Sequence, residues 1–112
     1  MSLRRYCLAL DMVDDKALIA EYERWHAPGG VWPEVIADLR DQGVVNMEIW
    51  RVANRLLMIV ESAKDFPTQR TLPPRIDAWE TMMAKFQQAL PGAAAGEKWM
   101  SLTKVFDIAD QA

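Results

Sequence analysis

The chain has 112 residues, a formal net charge of −3 and a sequence pI near 5.1, with 51% hydrophobic and 26% charged residues. Those proportions fit a single domain over 1–112 with a real hydrophobic core, and they exclude a disordered chain. The acidic balance and the lack of any Lys/Arg run longer than the Arg4-Arg5 pair leave no electrostatic footprint for nucleic acid or an anionic membrane.

One cysteine, Cys7, excludes an internal disulfide, and one histidine, His26, excludes a zinc site built from Cys and His together. No apolar run approaches ~20 residues and no leader pattern opens the chain, so a reducing cytoplasm is the expected setting. The unusual feature is five tryptophans, Trp25, Trp32, Trp50, Trp79 and Trp99, spread along the sequence. Each indole offers a flat apolar face and one donor, which suits the C–H face of a sugar. It equally suits a core or a dimer interface.

In chain order, "RRYCLALDM" alternates before a turn-like Asp pair and predicts a first strand. Asp14 or Asp15 then caps a helix through "KALIAEYERWH", on which Leu18, Tyr22, Trp25 and His26 share a face. "APGG" breaks it. A second helical stretch starts near Trp32, with Pro33 in the first turn, and Gly43 ends it. "VVNMEIWRV" and "RLLMIVE" predict a hairpin turning at Ala53-Asn54.

The second hairpin strand is apolar on both parities, with Leu57 and Ile59 on one face and Leu56, Met58 and Val60 on the other. Such a strand is expected to be covered on both sides. After a proline-containing loop, Ile76, Trp79, Met83, Phe86 and Leu90 keep the spacing of one helix face. Residues 98–108, "KWMSLTKVFDI", alternate again and predict a closing strand.

The order βαββαβ, with the first helix in two pieces, predicts an α+β ferredoxin-like fold. Its antiparallel four-stranded sheet carries helices on one face. A homodimer pairing two sheets into a dimeric α/β barrel is expected to cover the apolar bare face.

Tyr22 and His26 lie four residues apart on one helix, roughly 5–6 Å between Cβ atoms. Any site using both therefore sits between helix and sheet, and Trp79 from the other helix can form the opposite wall. Histidine exchanges protons near neutrality, and tyrosine is a donor that can join such an exchange, which suits acid–base work on a small hydroxylated molecule. The plain alternative is a histidine that satisfies the last carbonyls of its helix, beside a core tyrosine. No nucleophile elbow is present, and Cys7 has no cue for activation.

The motifs "EYERWH", "WPEV", "GVVNMEIW" and "LLMIVE", followed by "AWETMM" and "KVFDI", resemble the L-rhamnose mutarotase family, including relatives assigned to L-fucose. The resemblance implies a dimeric α+β barrel that interconverts α and β anomers of a 6-deoxy-L-sugar, without metal or other cofactor. It implies that His26 is the catalytic proton donor and Tyr22 a sugar-binding residue, with Trp79 and position 47 in the sugar site. Beside this, Tyr22 is expected to position or share the catalytic proton, and Trp32 to stack on the sugar with Trp79. The family's tryptophan pair is reduced here, with Ala78 before Trp79, and Met47 stands where the family has a sugar-contacting tyrosine. The extra glycines of "HAPGGVWPE" lengthen the segment after the histidine.

Two competing readings accompany this one. A cofactor-free monooxygenase or haem-handling barrel also uses a solitary histidine between helix and sheet. A non-catalytic sugar-binding dimer would leave His26 as a helix-end residue. No nucleic-acid or membrane partner is expected under any of them.

Overall fold

The computed structural model describes residues 2–68 and 70–111. The alternating first segment forms β1 (Arg4–Met12). Asp15 caps α1 (Lys16–His26), its carboxylate accepting the Leu18 backbone N–H at 3.0 Å. That satisfies one of the donors a helix start leaves without partners. Pro33 opens α2 (Pro33–Asp41), where its missing N–H costs nothing. Gly43, at φ 101°, adopts left-handed backbone that ends α2 and leads into the hairpin of β2 (Val44–Val52) and β3 (Arg55–Ser62). The chain continues into α3 (Pro74–Ala84) and two short strands, β4 (Gln87–Gln88) and β5 (Met100–Ser101).

The sheet is antiparallel in the order β2-β3-β1, and β4 and β5 both pair along the far edge of β1. This is the expected ferredoxin-like α+β arrangement, curled into a half-barrel. Register then decides which side chains meet the helices. Leu8 opposes Met58, and Tyr6 opposes Val60. Leu8, Met58 and Val60 lie in one buried cluster, and Met12 and Leu56 join Tyr22, Val35, Ile76, Trp79, Met83 and Phe86 in another. The other parity is poorly covered. Leu57 and Ile59 are half-buried, and Trp50, paired with Leu57, is 61% exposed.

Two expectations are corrected. The last helix ends at Ala84 and does not run to Leu90. Beyond it the Phe86 carbonyl accepts the Val13 backbone N–H at 2.9 Å, and Gln87 and Gln88 pair with Met12 and Asp11. Hydrogen bonds to β1 thus replace further helical turns, while the Phe86 side chain still fills the core. The closing strand is also shorter than residues 98–108. Met100 and Ser101 pair with Ala9 and Leu8, and the Leu102 N–H donates to the Cys7 carbonyl at 2.8 Å. The chain then leaves the sheet, with Val105 94%, Phe106 66% and Ile108 77% exposed, and finishes in a 3-10 turn at Ile108–Asp110.

Candidate active site

A cavity of about 700 Å³ lies between the helices and the covered face of the sheet, within the ~300–1,000 Å³ common for small-molecule sites. Tyr22, His26, Met47 and Trp79, all expected at the site, line it together. Trp32 lies one layer out. Its ring packs edge-on against Trp79 at 5.2 Å between centroids, and the Arg75 guanidinium covers it at 3.7 Å.

His26 closes α1 one turn after Tyr22, and the two rings stack with centroids 4.1 Å apart and planes 28° from parallel. The His26 Nδ1 lies 2.7 Å from the Tyr22 backbone carbonyl. A carbonyl only accepts, so Nδ1 carries the proton and Nε2 keeps its lone pair. The helix-end bond is therefore real, yet it also leaves the other nitrogen available as a base. Trp79 meets the His26 ring edge-on at 5.7 Å, and Trp25 meets Trp79 at 6.2 Å, nearly perpendicular. These aromatic contacts fix the imidazole from both sides.

Burial sets the charge states. It lowers the His26 pKa, with the Tyr22 carbonyl opposing weakly, so the imidazole is neutral at pH 7. Burial, helped by the negative charge of Glu80, pushes the Tyr22 hydroxyl well above the usual tyrosine value, so it stays protonated. The pair thus presents one base and one hydroxyl donor.

The segment after the histidine explains its own glycines. The Gly30 N–H donates to the Ala27 carbonyl at 2.7 Å. A Cβ on Gly30 would sit 2.6 Å from the Trp25 carbonyl oxygen and 2.7 Å from that of Arg24. Only glycine lets the chain fold back this closely on the end of α1. Glu34 faces neither His26 nor the cavity. It pairs with Arg75 at 3.4 Å, and Arg75 in turn stacks on Trp32, tying the starts of α2 and α3 together.

Sequence reasoning missed several cavity residues, including Glu80, Gln87 and Lys98. Glu80 was findable, because it falls at core spacing between Ile76 and Met83 on α3, where a carboxylate is unusual. Gln87 and Lys98 carried no signal, since their placement depends on the irregular segment between α3 and β5. Among the described residues, no three His, Cys, Asp or Glu side chains gather where they could share a metal ion.

The model for L-rhamnose mutarotase matches residues 5–108. The chain belongs to the L-rhamnose mutarotase family. It is 46% identical to a protein named L-fucose mutarotase from Xanthomonas campestris pv. campestris, covering 98% of this chain and 92% of that protein. It is also 34% identical to a UPF0734 protein of Dictyostelium discoideum, covering 94% and 90% of the two chains. The solved L-rhamnose mutarotase FA22100 of Formosa agariphila superposes with a TM-score of 0.68 at 20% identity, over 93% of this chain and 97% of that one. That last likeness bears on the fold of this family member alone.

Proposed function

We propose that the protein is a mutarotase, an isomerase that interconverts the α and β anomers of a 6-deoxy-L-hexose such as L-fucose or L-rhamnose. The observation that carries this is the His26 tautomer, a neutral imidazole with its free Nε2 beside a protonated tyrosine at an aromatic-walled cavity. The family relatives named for the two sugars support the substrate class.

In this reading the sugar ring stacks on Trp79, with Trp32 holding that indole from behind. His26 Nε2 takes the proton of the anomeric hydroxyl and, as imidazolium, delivers it to the ring oxygen on the same carbon, while the Tyr22 hydroxyl donates a hydrogen bond to the sugar. The bond between C1 and the ring oxygen breaks, leaving an aldehyde at C1 and a hydroxyl at C5. Rotation about C1–C2 presents the other aldehyde face, and the ring recloses as His26 carries the proton from the C5 hydroxyl back to the C1 oxygen. His26 thus accepts first and donates second. A positioned acid–base group of this kind contributes ~10²–10⁴-fold.

The working form in this reading is a homodimer in a reducing cytoplasm. Exposed Trp50 and Val52 and half-buried Leu57 and Ile59 on the bare sheet face support it, as do Val105, Phe106 and Ile108 on the tail. So much exposed apolar surface on so small a chain is what a second copy would bury. Among the described residues, no helix is long and apolar enough to cross a membrane.

Saturation-transfer NMR on the anomeric protons of L-fucose and L-rhamnose tests the activity. Catalytic protein should speed α/β exchange for at least one sugar. No acceleration of either sugar by the folded protein would reject the reading.

A further inference from the structure

Around the His26–Tyr22 stack the cavity wall is mainly aromatic and aliphatic, from Trp79, Trp99, Ile49 and Met58. Met47 adds only a thioether, a weak acceptor that holds a hydroxyl poorly. A buried hydroxyl without a partner is costly, so a sugar in this cavity needs polar groups elsewhere on its wall.

One set of them lies at a corner where the end of α3 meets the segment before β5. Glu80, Ala84 and Gln87 follow one another along the end of α3 and the residues just after it, and all three line the cavity. Ala84 leaves room between the two polar side chains. Lys98, from the segment before β5, lines the same corner, and with Gln87 it also borders an adjoining recess of about 210 Å³. The Gln87 side-chain Oε1 is buried with no hydrogen-bond partner among the described residues. Gln87 lines the cavity and its amide carries an acceptor that the fold leaves without a partner, so this side chain has hydrogen-bonding capacity to spare.

Glu80 makes no hydrogen bond or ion pair among the described residues, and neither does Lys98 on the same wall. Asp38, by contrast, is paired with Arg70. Burial raises the Glu80 carboxyl, and the positive charge of Lys98 acts against that rise. The corner therefore holds a carboxylate acceptor, an amide that can donate and accept, and an ammonium donor.

We infer that Glu80, Gln87 and Lys98 form the hydroxyl-reading subsite of this cavity, binding adjacent ring hydroxyls of the sugar and setting which sugar is preferred. The inference rests on the mutarotase reading for its substrate class. Carboxylate and amide acceptors bridging neighbouring hydroxyls, with an ammonium donor beside them, match a vicinal diol. This corner takes over the recognition that a tyrosine at position 47 and a tryptophan at 78 would have supplied. As groups that bind ring hydroxyls, the three govern affinity more than the proton transfer.

The test separates binding from chemistry. L-Fucose and L-rhamnose are titrated into wild type, Glu80→Gln, Glu80→Asp and Lys98→Met while protein amide shifts are followed, and anomer exchange is read in the same samples. Loss of a charged hydrogen bond should weaken Kd for the preferred sugar roughly 10- to 100-fold in Glu80→Gln and Lys98→Met. Glu80→Asp should recover part of it, and the preference between the two sugars should narrow. Exchange at saturating sugar should change much less than affinity. Unchanged Kd in both variants, or wild type binding neither sugar, would overturn the subsite. Wild type that binds without speeding exchange, with the variants weakened, would reject the mutarotase reading and leave the subsite supported.

Discussion

The two faces of one sheet are built from neighbouring residues of the same strands, yet they meet different surroundings. Leu56, Met58 and Val60 lie under the helices and are buried. Leu57 and Ile59, one step along the same strand, are half-buried beside an exposed Trp50. The covered face encloses the cavity with the lone histidine. The bare face carries apolar side chains with no comparable cover. A strand with a period of two thus divides the molecule into a side that encloses a cavity and a side that exposes apolar residues.

The division can be broken hardest at Trp79, which is buried and touches His26, Trp25 and Trp32. Trp79→Ala should cost ~3–5 kcal/mol of stability in denaturant unfolding, and anomer exchange should fall with it. Gly30→Ala attacks the covered side by a different route, since its Cβ has no space against the α1 carbonyls. Overpacking there should cost ~1–3 kcal/mol, and the displaced end of α1 should slow exchange even where the protein stays folded. Trp50→Glu addresses the other face. It should shift sedimentation from dimer toward monomer at low protein concentration while changing thermal stability of the covered core little. The smallest effect is a pH dependence. Burial lowers the His26 pKa, which favours the neutral form that the proposed mechanism needs. Exchange should fall in acid as Nε2 is protonated, with a midpoint below the ordinary ~6.5.

Much of this was readable from the sequence, and the exceptions have physical causes. The Asp15 cap, the Pro33 start and the turn at Gly43 are local chemistry, and each lies where the sequence puts it. Tyr22 and His26 meet because four residues on a helix make one turn. Phe86 and Leu90 misled because a helical spacing does not reveal that β1 offers competing hydrogen bonds just beyond Ala84. The alternation of residues 98–108 misled differently. It is a strand pattern, but most of it has no neighbouring strand to pair with here. A second copy, in the dimer proposed above, would be where such a pattern finds its partner. Glu80 was passed over because its neighbours on α3 were read only as core, and Lys98 because nothing local says which way a glycine-rich connection will bring it back.

The central claim is that the single histidine performs the proton transfer. Anomeric-proton exchange NMR on L-fucose and L-rhamnose, comparing wild type with His26→Ala at matched folded concentration, tests it most directly. The account predicts exchange accelerated by wild type and reduced ~10²-fold or more in the variant, with sugar binding largely kept. Equal acceleration by both proteins would contradict it and assign His26 to the helix end alone.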